Sequence, residues 1–317
     1  MAVVFFFVLG GFCMTLGYKE KVVSSTFDYN QYLTRRCIKF YPLHWFCLLM
    51  AIPLSLFFAF SWYKLPVLIL NASLIHSWIP IKEVCVSYNY VSWYLADTLF
   101  FSMVFPPLLK CFLKSNAIRK VWIALLIILF YAVIALLIPK DYYQTVIYIS
   151  PYMRLTDFVF GIYLALLYLK IKDNPQKWWN GKIVGQILVL SLIVLLVVES
   201  CVLPETATWF APVYWVLIGA LIITVPLVSR VGGGLLLENK YLLRLGELSF
   251  IIFMVHQLVL NYITIVFAKL QIDNLIIYLS FTLVLTILLS IVIERFILKP
   301  ITQWLTSRNQ PSMTVRS

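Results

Sequence analysis

Long apolar runs, separated by clusters of basic residues, constrain this chain more than any other feature. Ten of them, roughly 15 to 22 residues each, occupy 2–17, 40–61, 65–81, 91–109, 121–139, 155–169, 183–198, 209–228, 248–268 and 274–293. Each approaches the roughly 20 residues that cross a bilayer as a helix. Hydrocarbon offers the backbone no hydrogen bonds, so a crossing segment must satisfy its own, as helix or closed barrel. Composition agrees: 62% of the residues are apolar and 12% charged, with a mean hydropathy of +0.94. Soluble domains hold about 45–50% apolar and about 25% charged residues, so a water-facing domain is excluded. The expected fold is all-α, a polytopic integral membrane bundle forming a single domain over 1–317.

The net charge of +12 does not point to nucleic acid, because the cations form no continuous stripe and sit between the apolar runs. Positive residues concentrate in loops that stay inside. If all ten runs crossed, the clusters would divide between both faces. If 65–81 does not cross, 20 of the 25 basic residues fall on one side. That run carries Pro66, Asn71, Ser73, His76 and Ser77, whose polar groups need protein or water around them. Nine crossings plus one re-entrant or interfacial segment are therefore expected, with a cytoplasmic C-terminus in an inner (plasma) membrane. The same count places Met1 outside, and so expects either an N-out start or a preceding helix. The six cysteines show no CxxC and no metal-ligand spacing, so no metal is expected.

Polar residues at membrane depth are candidates for function. His256, with Gln257 and Asn261, could take a proton or bond to a neighbouring helix. Asp97 could orient a base or pair with an arginine. Arg154 and Asp157 share a helix face, as a structural ion pair or a substrate contact. Arg35, Arg36 and Lys39 precede Tyr41-Pro42 at the mouth of a helix. They read as a topology anchor or as a site for the phosphates of a nucleotide-like donor. Gly232-Gly233-Gly234 is a flexible turn, since no strand precedes it and no GK[ST] follows.

Four stretches together resemble the membrane acyltransferase family 3, which includes polysaccharide and lipopolysaccharide O-acetyltransferases. They are Phe6 to Phe12 (FFVLGGF), Arg35 to Pro42 (RRCIKFYP), Ser92 to Asp97 (SWYLAD), and Leu245 to Phe250 (LGELSF) running on to His256. Their order and spacing extend over nearly the whole chain. The resemblance implies transfer of an acyl group, usually acetyl, from cytoplasmic acyl-coenzyme A to a hydroxyl of an extracytoplasmic glycan or lipid-linked sugar. It assigns the donor phosphates to Arg36 and Lys39, within an element that also holds Arg35. His256 and Asp97 become catalytic candidates, and Trp93, Arg154 and Asp157 would line a membrane-embedded path.

Lys39, Gly10 and Asp97 depart from the family's Arg, Ser and Glu. The family's first helix, with a basic residue and the histidine usually regarded as the base, has no counterpart here. A misplaced start, an inactive truncation, or a base supplied by His256 or His44 would each account for that. A secondary transporter or glycan flippase would also use intramembrane charge, but it should show repeat symmetry between the two halves, and none is visible. A non-catalytic membrane partner in a glycan assembly complex is the third reading.

Overall fold

The computed structural model describes residues 2–58, 62–172, 182–202, 211–230 and 239–308, and every regular element among them is helical. In chain order these are α1 (Ala2–Val23), α2 (Tyr29–Phe58), α3 (Lys64–Ala72), a 3-10 turn (His76–Trp78), α4 (Lys82–Cys85), α5 (Ser92–Lys114) and α6 (Ala117–Leu137). After a 3-10 turn (Lys140–Tyr142) and a π-helical turn (Tyr143–Ile149) come α7 (Pro151–Ile171), α8 (Lys182–Val202), a 3-10 turn (Ala211–Tyr214) and α9 (Trp215–Arg230). The chain continues with α10 (Lys240–Leu270), α11 (Leu275–Ile293), a second π turn (Glu294–Leu298) and α12 (Lys299–Arg308). The Gly232–Gly234 run and two loop cations, Lys177 and Arg316, lie outside the described residues.

Eight helical stretches among the described residues are long and apolar enough to cross a membrane, and α6 adds a shorter apolar stretch, Trp122–Leu137. The 65–81 run forms no such helix. It breaks into the nine-residue α3 and the three-residue 3-10 turn, and nine residues rise only about 14 Å against a hydrocarbon core of about 30 Å. Two helices outrun the apolar runs that announced them. α2 starts at Tyr29, so Arg35 to Lys39 lie well inside the helix and not at its mouth; α10 starts at Lys240. Helical hydrogen bonding does not stop at the edge of the hydrocarbon, and long cationic side chains carry their charge to the interface from within a helix.

Packing divides the chain into two compact units built from separated stretches. One comprises Met1–Phe27, Ser77–Ile81 and Phe100–Lys240, and the other Asp28–His76, Lys82–Leu99 and Tyr241–Ser317. In the first, α1 lies against α7. A Cβ built on Gly11 would fall on the carbonyl oxygen of Phe158, and one built on Gly161 on the carbonyl oxygen of Val8. The two glycines thus let the helix backbones touch, as small residues do in membrane bundles. Gly10, the neighbour that departs from the family's Ser, meets only the edge of the Phe158 ring, at 4.0 Å.

The second unit is organised around α10. Its face of Leu248, Ile251, Met254, Val255 and Leu258 packs with Phe40, Leu43 and Cys47 of α2 and with Leu95 and Leu99 of α5. α11 returns after Asn274, whose side chain accepts from the backbone N–H groups of Ile276 and Ile277 at 3.0 and 3.1 Å and so caps the helix. Arg244 bonds to both Glu247 and Glu294, tying the start of α10 to the end of α11.

Candidate active site

A helix that ends at membrane depth leaves its last carbonyls without intrahelical partners, and lipid cannot supply them. The broken helix α3 meets this through α2. Tyr41 Oη donates to the carbonyl of Ser73 at 3.2 Å, His44 Nε2 bonds the carbonyl of Asn71 at 2.8 Å, and Trp45 Nε1 donates to the carbonyl of Ala72 at 3.1 Å. Positions 41, 44 and 45 share one helix face, so a single face of α2 caps three consecutive carbonyls. A carbonyl only accepts, so Nε2 of His44 carries the hydrogen and Nδ1 the lone pair. Leu74 then reverses the chain with φ 60°, held by its buried side chain.

Further polar contacts follow. Asn71 donates to the carbonyl and the hydroxyl of Ser87 at 3.0 and 3.2 Å, and His76 Nε2 lies 3.0 Å from Ser92 Oγ at the start of α5. Asn89 donates to the carbonyl of Met254 on α10 at 2.9 Å. His76, Asn71 and Ser92 are wholly buried. Burial pushes the His76 imidazole down to about 3, with nearby His44 adding to the fall and the Leu70 carbonyl opposing it. His44 Nδ1, Asn71 Oδ1 and Asn89 Oδ1 are buried with no hydrogen-bond partner among the described residues. Such atoms are rare in folded proteins, so each calls for an explanation.

Several sequence candidates lie on the helices that supply this cluster, α2, α5 and α10. The inward stripe of α2 runs Arg36, Phe40, Leu43, Cys47 and Ala51, so Arg36 heads the buried face and is itself buried, 5.3 Å from the Tyr32 ring. Arg35 is exposed on another side of the helix, and Lys39 lies over the Phe40 ring at 5.8 Å. Trp93 and Asp97 are buried one turn apart on α5. Tyr94 meets Phe253 edge-on at 4.9 Å, and Phe253 lies 5.7 Å from the His256 ring. His256 is half-buried, and its Nδ1 bonds the carbonyl of Phe253 at 2.7 Å. That bond fixes the hydrogen on Nδ1 and leaves the lone pair on Nε2.

Arg154 and Asp157 belong to the other unit. Arg154 donates to Asp157 Oδ2 at 2.9 Å, to Tyr131 Oη at 2.8 Å, and to the carbonyl of Ile147 from both Nε and Nη2, at 3.2 and 2.9 Å. Asp157 Oδ1 accepts from Trp215 Nε1 at 2.7 Å. The π turn before α7 delivers the Ile147 carbonyl to the guanidinium. Both charges are wholly buried, and every partner named here is another part of the protein.

Polar residues inside an apolar run had signalled Asn71 and His76, and the described residues place both in the buried cluster. The pairing of His76 with Ser92 and of Asn89 with α10 carried no sequence signal, because each joins distant stretches. Among the described residues no group of three or more His, Cys, Asp or Glu is placed to hold a metal ion. A family model described as an acyltransferase domain matches residues 1–295. No curated protein matches the chain, and no solved structure does.

Proposed function

We propose, from the premise that this chain belongs to the acyltransferase family whose model covers residues 1–295, a specific reaction for an enzyme that is an acyltransferase in a multi-pass membrane protein. The acyl group, acetyl in this reading, comes from cytoplasmic acyl-coenzyme A and goes to a hydroxyl of an extracytoplasmic glycan or lipid-linked sugar. The membrane is the inner (plasma) membrane, and the C-terminus is cytoplasmic.

One observation carries the reading. Arg36 heads the buried stripe of α2, and that stripe packs on the two helices, α5 and α10, that bear Asp97 and His256. A guanidinium binds phosphate through paired, charge-assisted hydrogen bonds, so Arg36, with Lys39 one turn on, receives the donor's phosphates, while Arg35 stands exposed on another side of α2. His256 presents its Nε2 lone pair and takes the proton of the acceptor hydroxyl. The hydroxyl oxygen bonds the thioester carbon, the carbon–sulfur bond breaks, and the leaving thiolate recovers the proton from His256. The Phe253 carbonyl orients the base through Nδ1, buried Asp97 is a second catalytic candidate on α5, and Trp93 borders the path. Arg154 and Asp157 act as positioning residues that hold the π turn and α7.

Membrane vesicles containing the full-length product, supplied with acyl-labelled acetyl-coenzyme A, should place label on glycan. Arg36→Ala should raise the donor KM by at least about tenfold, the scale of one lost charge-assisted contact. His256→Gln should lower kcat by about 10² to 10⁴. Full activity in His256→Gln refutes the base assignment, and an unchanged donor KM in Arg36→Ala refutes the donor site.

A further inference from the structure

The opposite side of α2 has a different character. A groove of about 590 Å³ runs between α2 and the C-terminal helix, lined by Ile38, Tyr41, Trp45 and Leu49 on one wall and by Ile301 and Trp304 on the other, with almost no polar surface. From Ile38 to Leu49 it descends about 16 Å along the helix, close to the depth of one leaflet's hydrocarbon. α12 is polar overall, and its apolar residues Ile301, Trp304 and Leu305 face this groove.

Each wall ends in a guanidinium. Arg35 lies seven and eleven residues before Pro42 and Phe46, which also line the groove, so it stands on the same flank of α2. Arg308 stacks on the Trp304 ring at 4.2 Å. Neither makes an ion pair among the described residues. The nearest acidic residue in sequence to the α12 wall, Glu294, is already engaged by Arg244 and Lys299. The groove therefore combines an apolar trough one leaflet deep with two uncompensated planar cations at its borders.

We propose that this groove is a specific site for an anionic phospholipid, with one acyl chain in the trough and the phosphate on Arg35 and Arg308. The chemistry selects this ligand. In a phospholipid the phosphate sits beside the ester that starts the acyl chain, which matches cations that directly border an apolar trough. In acyl-coenzyme A the pantetheine arm separates phosphates from acyl group, so the same trough does not fit a donor whose phosphates rest on Arg35. The site is independent of the acyl-transfer reading: Arg36 faces the opposite side of α2.

Tryptophan quenching tests this. The full-length chain is placed in phosphatidylcholine vesicles doped with chain-brominated phosphatidylglycerol or, at equal mole fraction, identically brominated phosphatidylcholine. Subtracting the Trp304→Phe variant isolates Trp304. Half-quenching is expected at a several-fold lower mole fraction of the anionic lipid, about fivefold for each guanidinium that engages the headgroup. Arg308→Ala and Arg35→Ala should each reduce that preference, and Arg308→Lys should keep much of it. Arg308 lies in an exposed last turn, so the helicity and elution of the variant serve as the fold control. Equal quenching by both lipids means ordinary annular lipid only and overturns the proposal. So does quenching by neither, which means that protein covers the groove, and so does a preference that survives both alanine substitutions.

Discussion

Arg154→Ala removes one guanidinium and exposes a chain of consequences that can be sized. Asp157 is left as a wholly buried carboxylate with Trp215 Nε1 as its remaining named donor, while the Ile147 carbonyl loses both of its arginine bonds and the Tyr131 hydroxyl loses the arginine's, keeping its bond from the Ala211 N–H. Breaking a buried ion pair by removing one partner costs about 3–5 kcal/mol. Asp157→Asn costs less, about 1.5–3 kcal/mol, because an amide oxygen still accepts from Trp215 while the arginine loses a charged acceptor. The double variant Arg154→Ala with Asp157→Asn removes both charges and leaves neither uncompensated, so it should cost less than the sum of the singles by about 1–3 kcal/mol. The comparison is decisive because ordinary hydrogen bonds between membrane helices average about 0.6 kcal/mol, so four neutral ones would total about 2.4 kcal/mol. Equilibrium unfolding in mixed SDS and dodecyl maltoside micelles measures each variant. If Arg154→Ala costs no more than about 2.4 kcal/mol, or the double variant is additive within about 0.5 kcal/mol, charge is not what organises this network.

Three further outcomes are expected. Gly161→Ala and Gly11→Ala should each destabilise the protein by about 1–3 kcal/mol or more by forcing α1 and α7 apart, whereas Gly10→Ser should be nearly neutral in the same unfolding assay. His44→Ala should cost about 1–3 kcal/mol by orphaning the Asn71 carbonyl, and should raise amide exchange in residues 71–75 more than elsewhere. The folded His76 stays neutral down to about 3 while its ordinary value is 6.5. The unfolded chain therefore gains a proton first as pH falls. The effect is absent above 6.5 and grows as pH drops towards 3, so His76→Gln should lose less stability than the parent between those limits in unfolding measured at successive pH values.

Several features were legible because they depend on one segment at a time. Hydropathy located the crossing helices, and the polar content of 65–81 marked the place where a crossing fails. The charge count reached the same break independently, since topology follows the distribution of lysine and arginine. Helix ends were less legible. Arg35 to Lys39 looked like an entrance because hydropathy stops there, yet backbone bonding carries α2 on to Tyr29.

The candidate site was legible as a set of unusual residues and illegible as an arrangement. Arg36 and Lys39 share a face in the sequence, but only packing separates Arg36 on the buried stripe from Arg35 on the groove side. His44 read as a spare base, and the fold engages its Nε2 as the cap of a broken helix. Arg154 and Asp157 were paired by spacing, while Tyr131, Ile147 and Trp215, which complete their network, announced nothing.

By itself the sequence determined that the chain is a helical membrane protein and where its helices run, because lipid forces every crossing segment to satisfy its own backbone, which is a local requirement. Tertiary structure alone decided which polar groups of separate stretches meet. The bond from Asn89 to Met254 joins residues 165 positions apart, and no property of either stretch specifies the other until helix packing brings them together.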